Sequence, residues 1–233
     1  TFLSPLIAFW NVMTLDNYEQ LMIDGTYMAA LWNTIVISFA GGIIGTAFIA
    51  VSALIVHRSP FVLGKQMEYI ALLPRVLPGL VAGIGMFYAA AFIPPIGWLR
   101  GTIWVLVLAY IIRAIPTGYG ALSPSMLQIS QDLDRSARVM GAGWWTSMQT
   151  VILPLIKPAL FTCFALLFIN FFKEYSIAVF IVTPGSEVIG TKLLQIWIQG
   201  QMGQVAALAT LQIALTAVFI VAVRRFAGVK LYG

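Results

Sequence analysis

The residues of this chain that could do chemistry are few, and most of them stand where charge is expensive. Arg75, Arg113, Asn170, Lys173 and Glu174 fall inside otherwise apolar runs. Ionisable groups in such runs are costly in a bilayer, so they face a cavity or a partner and mark pathways or proton relays. Lys173 and Glu174 lie well within the run 155–182, with Asn170 one turn earlier. Adjacent residues on a helix do not face each other, so at least one of the two should touch another helix or a substrate pathway. The role is a gate or a structural interhelical pair. Arg75 stands between Pro74 and Pro78; each proline removes a backbone donor and clashes with the preceding turn, so the helix there should bend or break. Arg113 reads as close to one end of its run, where an arginine can snorkel to the headgroups. Other chemistry is poorly served. The single cysteine, Cys163, and single histidine, His57, leave metal and thiol chemistry without ligands. The chain has no HExxH, no two carboxylates within one run and no GxxxxGK[ST] phosphate loop, which argues against a membrane enzyme and against a nucleotide site of its own.

The elements that must position these residues follow from composition. The chain is 61% hydrophobic and 9% charged, against about 45–50% apolar and about 25% charged in soluble domains. It is therefore expected to be an all-α integral membrane protein lying in a lipid bilayer. The net charge of +5 comes from scattered residues without a basic run, which speaks against a nucleic-acid partner. A spanning helix needs about 20 apolar residues. The stretches 28–56, 67–92, 102–119, 155–182 and 205–223 qualify, giving about five spans in a single domain over 1–233. With residues 1–27 outside, the inner side carries Arg58, Lys65, Arg135, Arg138, Lys157, Arg224, Arg225 and Lys230, and the outer side only Arg100 and Lys192. The positive-inside rule then places the C-terminus and the loop 130–154 in the cytoplasm.

That loop, "SQDLDRSARVMGAGWWTSMQTVILP", is the most polar part of the interior of the chain. Ser130 can cap a helix whose first turn holds Asp132 and Asp134, and Gly141 or Gly143 can end it at positive φ. Leu133, Ala137 and Met140 share one face of that helix, with Arg135 and Arg138 directed elsewhere. After the glycines, "WWTSMQTVI" is expected to form a second short piece at headgroup level, with Pro154 opening the next span. Two readings fit: an interfacial loop anchored by Trp144 and Trp145, or a docking helix for a cytoplasmic subunit.

The segment resembles the cytoplasmic loop of permease subunits of binding-protein-dependent ABC importers, whose signature is Glu-Ala-Ala, three residues, Gly, nine residues, then Ile-x-Leu-Pro. Here the frame reads Arg135-Ser136-Ala137, Gly141 and Val151-Ile152-Leu153-Pro154. Arg135 replaces the family's usual Glu, Ser136 an Ala and Val151 an Ile. "ALLPRVLPGLVAGIGMFY", "NFFKEYSIAVFIVTPGS" and "GQVAALATLQIAL" are similar to other segments of these permeases, and the ferric-iron permeases look closest. The resemblance implies the transmembrane domain of a type I importer, one half of a fused permease or a copy lacking a first helix. It implies ATPase subunits docking on Leu133, Arg135, Ser136, Ala137, Met140 and Gly141, with ATP and Mg on those partners and no cofactor on this chain. A second transmembrane domain, a periplasmic or extracellular substrate-binding protein and a bacterial inner-membrane location are also implied. Arg75, Asn170, Lys173 and Glu174 are then candidates for the pathway or gate. The alternative is an ion-coupled secondary transporter working through Lys173, Glu174 and Arg113.

Overall fold

The computed structural model describes residues 15–59 and 62–227. The first fourteen residues, Pro60, Phe61 and the tail with Lys230 lie outside the described residues. Among those described, the chain is helical throughout. The order is α1 (Asp16–Ile23), α2 (Gly25–Arg58), α3 (Gly64–Leu72), a 3-10 turn (Leu73–Arg75), α4 (Gly79–Phe92), α5 (Pro94–Gly97) and α6 (Ile103–Gln128). It continues with α7 (Gln131–Val139), α8 (Trp144–Ser147), a π-helical turn (Met148–Ile152), α9 (Leu153–Phe172), α10 (Ala178–Ile181), α11 (Ile189–Ile198) and α12 (Met202–Ala227). Four described rods are long and apolar enough to cross a membrane: α2, α6, the rod Trp144–Phe172 and Met202–Val223. The pair α3–α4, bent by 108°, makes a fifth if it is one crossing.

The core is a bundle of α2, α6 and α9, closed by Ile37, Ile49, Leu106, Leu122, Met126 and Leu167. Helices in a bilayer gain little from hiding apolar surface, so they rely on close packing across small residues. Gly41, Gly42 and Gly45 supply it: a Cβ there would stand 3.1 Å from the Phe171 ring, 3.0 Å from the Phe164 ring and 3.2 Å from Leu167. α12 lies against α9 through Phe219, whose ring stacks on Phe168 at 3.6 Å between centroids. Much of what remains outward is large and apolar, including Phe39, Phe48, Val81, Tyr88 and Phe92. That is ordinary for lipid or for a second membrane domain.

The run 67–92 breaks between Arg75 and Gly79, as Pro74 and Pro78 lead one to expect, and its halves are bent by 108°. Three expected boundaries are corrected. The run 102–119 continues as one helix to Gln128, through Pro116 and Pro124; each proline forfeits one backbone bond, a loss that packing on both sides outweighs. Arg113 consequently stands midway along α6 and not near its end. The run 155–182 ends as a helix at Phe172, so Lys173 caps it and Glu174 lies in the turn beyond. At its other end this rod begins at Trp144 rather than Pro154. Its register widens over Met148–Ile152, moving the carbonyl that the Pro154 ring would otherwise strike.

The short α10 packs on α4 at Gly83, where a Cβ would stand 2.9 Å from the Ile177 carbonyl oxygen and 3.0 Å from its Cα. Backbone cannot step aside as a side-chain tip can. Gly83→Val should therefore cost about 1–3 kcal/mol and lower the thermal unfolding midpoint in detergent. Gly85→Val, with nothing within 4 Å of its Cβ, should leave that midpoint near the parent value.

Candidate functional site

Two constellations stand out, one at the α7 end of the bundle and one in its middle. The first begins with Arg58 at the last turn of α2, whose side chain is 2% exposed. Its Nη2 donates to the carbonyls of Met126 and Ile129 at 2.6 Å each, and its Nη1 to Asp134 Oδ1 at 3.2 Å and the Ser130 carbonyl at 3.4 Å. The last carbonyls of a helix have no partner within it and form its negative end, so a guanidinium there satisfies both deficits. The carbonyl of Arg58 in turn accepts the indole N–H of Trp144 at 2.9 Å. One residue thus ties the ends of α2 and α6 to α7 and to the start of the next rod. His57 adds a second α2–α6 link: its Nε2 lies 2.8 Å from Ser123 Oγ and 3.1 Å from Tyr119 Oη.

Held this way, α7 presents one side outward. Ser130 caps it, its Oγ accepting the Asp132 N–H at 3.1 Å, and Gly141 ends it at φ +91°. Asp134 is buried and Ala137 half-buried toward the bundle. Leu133, Ser136, Val139 and Met140 are exposed, as is Arg135, which lies 3.6 Å from Asp132. The expected second piece at 144–152 is not separate: it runs on into α9 as one rod, with Trp144 clipped to Arg58 and Trp145 exposed beside it. Arg58, Asp134 and Trp144 were missed as functional residues in the sequence. Arg58 reads in the sequence as one loop charge among several, and its carboxylate partner is 76 positions away.

The second constellation is a cleft of about 200 Å³ lined by Pro74, Arg75, Tyr110, Arg113, Thr117, Asn170, Phe171 and Glu174, with Ala114 and Pro116. It gathers Arg75, Asn170 and Glu174. Lys173 is exposed and is not among the lining residues. Arg113 does not snorkel: its Nη1 donates to the Leu77 carbonyl at 2.9 Å, inside the break before α4, and its Nε lies 3.8 Å from Glu174 Oε2. Glu174 Oε1 accepts the N–H groups of Ser176 at 2.8 Å and Ile177 at 3.4 Å. The Glu174 carbonyl accepts from Tyr110 Oη at 3.2 Å. The groups freed where two helices break are satisfied by side chains of the unbroken α6, which is how irregular backbone survives at membrane depth. Among the described residues, no group of three or more His, Cys, Asp or Glu is placed to hold a metal ion.

Residues 42–229 match the family described as the binding-protein-dependent transport system inner membrane component. The chain belongs to this family. The permease is 26% identical over 211 residues to the ferric transport system permease protein FbpB of Actinobacillus pleuropneumoniae, covering 88% of this chain and 30% of that protein. It is 31% identical over 193 residues to the trehalose/maltose transport system permease protein MalG of Thermococcus litoralis, covering 78% and 65%. The chain thus spans under a third of that ferric relative's length. Its fold is that of the membrane part of a bacterial ABC transporter for the acidic polysaccharide alginate, with a TM-score of 0.77 at 16% identity over 99% of this chain and 87% of that one.

Removing one member of a buried ion pair costs about 3–5 kcal/mol, because the survivor is stranded. Arg58→Ala strands Asp134 and three carbonyls, those of Met126, Ile129 and Ser130. It should lower the detergent unfolding midpoint well below that of Arg135→Ala, whose side chain is 66% exposed. Equal midpoints for the two variants would show that the Arg58 clamp carries no weight.

Proposed function

We propose that this permease forms half of the pathway of an ATP-driven importer and couples it, through α7, to a separate ATPase subunit. The observation that carries the reading is the exposed Leu133, Val139 and Met140 on a nine-residue helix clamped by Arg58. An apolar helix face held rigidly off the bundle is a docking surface. Ser136, Arg135 and Gly141 complete it, with the half-buried Ala137 behind them. ATP and Mg belong to the partner, since this chain has no phosphate loop. A second transmembrane domain, fused or separate, supplies the other half of the pathway, and a binding protein delivers cargo from outside. The ferric relatives support iron as that cargo; the trehalose/maltose relative shows that other cargoes travel through related chains. The charge bias supports residues 1–27 outside and the C-terminus in the cytoplasm.

The mechanism follows from α6. Its inner end is locked to α7 by Arg58, and the same rod carries Tyr110, Arg113 and Thr117 into the cleft. Closure of the ATPase pair would move α7, α7 would carry the ends of α2 and α6, and α6 would move Arg113 against Leu77 and Glu174. That is a rigid-body switch in which the broken segments are the moving parts.

Gly141 tests the docking role. A Cβ there meets nothing within 4 Å, so Gly141→Val costs only backbone strain, of order 1 kcal/mol. Membrane expression should stay near normal, while transport and stimulation of the ATPase by loaded binding protein should fall at least tenfold. Normal transport would refute the role of α7. Orientation is checked separately, in a background with Cys163 replaced. A cysteine at exposed Ser136 should react with an impermeant thiol reagent only in inside-out vesicles, and one at exposed Gln199 only in intact spheroplasts.

A further inference from the structure

We infer that the central cleft is an anion cradle, so that cargo passes this half of the pathway as an anion or an anionic complex and not as a bare cation. The inference rests on the pathway reading above and adds the charge class of what passes. Two guanidinium groups, Arg75 and Arg113, line the cleft with one carboxylate, Glu174. That carboxylate is already committed. One oxygen accepts two backbone N–H groups, the other faces Arg113, and the side chain is only 19% exposed.

Arg113 is also engaged, but Arg75 is not. It is exposed and has no hydrogen-bond or ion-pair partner among the described residues. Thr117 and Asn170, which also line the cleft, likewise have none among the described residues. The free valences are therefore a guanidinium, a hydroxyl and a side-chain amide, a set rich in donors. A planar guanidinium fork fits carboxylate and phosphate oxygens in pairs. A bare trivalent or divalent cation needs several anionic oxygens, thiolates or imidazoles, and no cluster of such groups exists among the described residues. If iron is the cargo, the cradle takes it with its anionic oxygen ligands still attached.

The test reads the sign of the potential directly. Thr117→Cys, in a Cys163→Ala background of the complete transporter in membrane vesicles, is treated with two methanethiosulfonate reagents of similar size, one carrying a sulfonate and one a trimethylammonium. Opposite unit charges near a fixed cation separate by roughly tenfold in rate. The ratio of anionic to cationic reaction rates, normalised to free cysteine, should be roughly ten and should fall severalfold when Arg75→Gln is added. Arg75 has no described partner to strand, so that variant removes charge without breaking the fold. A normalised ratio at or below one with Arg75 intact overturns the anion cradle while leaving the pathway standing. Reaction with neither reagent means that water does not reach the cleft, and then the pathway reading falls along with the cradle.

Discussion

A buried guanidinium at the end of α2 is the constraint on which the α7 end of this permease depends. Arg58 satisfies carbonyls at the end of α6, pairs with Asp134 in α7 and offers its own carbonyl to Trp144. Placing a charge in a dry site is expensive, and the cost is met only when every one of those partners is in position. The arrangement is consequently all or none. It keeps α7, a helix too short to be stable alone, in one orientation relative to two membrane-crossing rods.

The middle of the bundle works by the opposite device. Two segments break, one at Pro74 to Pro78 and one after Phe172, and each break exposes backbone groups that a bilayer does not solvate. α6 does not break, and its Tyr110 and Arg113 answer those groups directly. The cleft is thus the place where irregular backbone is permitted because an unbroken neighbour supplies the missing partners. Gly79 fits the same crowding: a Cβ there would stand 2.8 Å from Ser176 Cβ and 3.5 Å from the Arg113 guanidinium carbon.

These two devices share α6 and are joined by nothing softer than a helix. Pro116 and Pro124 lie between the cleft-lining Arg113 and the Arg58 clamp at Met126 and Ile129. Packing of Tyr119, Leu122 and Met126 in the core keeps that stretch helical despite the two missing donors. Stiffness in this rod comes from burial more than from its own hydrogen bonds, which explains why a reading by local signals ends it early.

The sequence by itself determined the class of molecule, the alternation of long apolar runs with polar loops, the break at Pro74 and Pro78, the Ser130 cap and a left-handed glycine at 141 or 143. All of these are local: chain length against bilayer thickness, proline stereochemistry, a side chain reaching two residues on, a glycine free of Cβ. It also marked Arg75, Asn170 and Glu174, because charge in an apolar run is visible without knowing its neighbours. What only the tertiary structure decided is who those neighbours are. Arg113 reads as an end residue until α6 is seen to continue, and Lys173 reads as the twin of Glu174 until the helix is seen to stop between Phe172 and the turn. Arg58 and Asp134 are 76 positions apart. No periodicity or spacing links them, because their pairing exists only after α2, α6 and α7 have packed and removed the water that would otherwise solvate both charges.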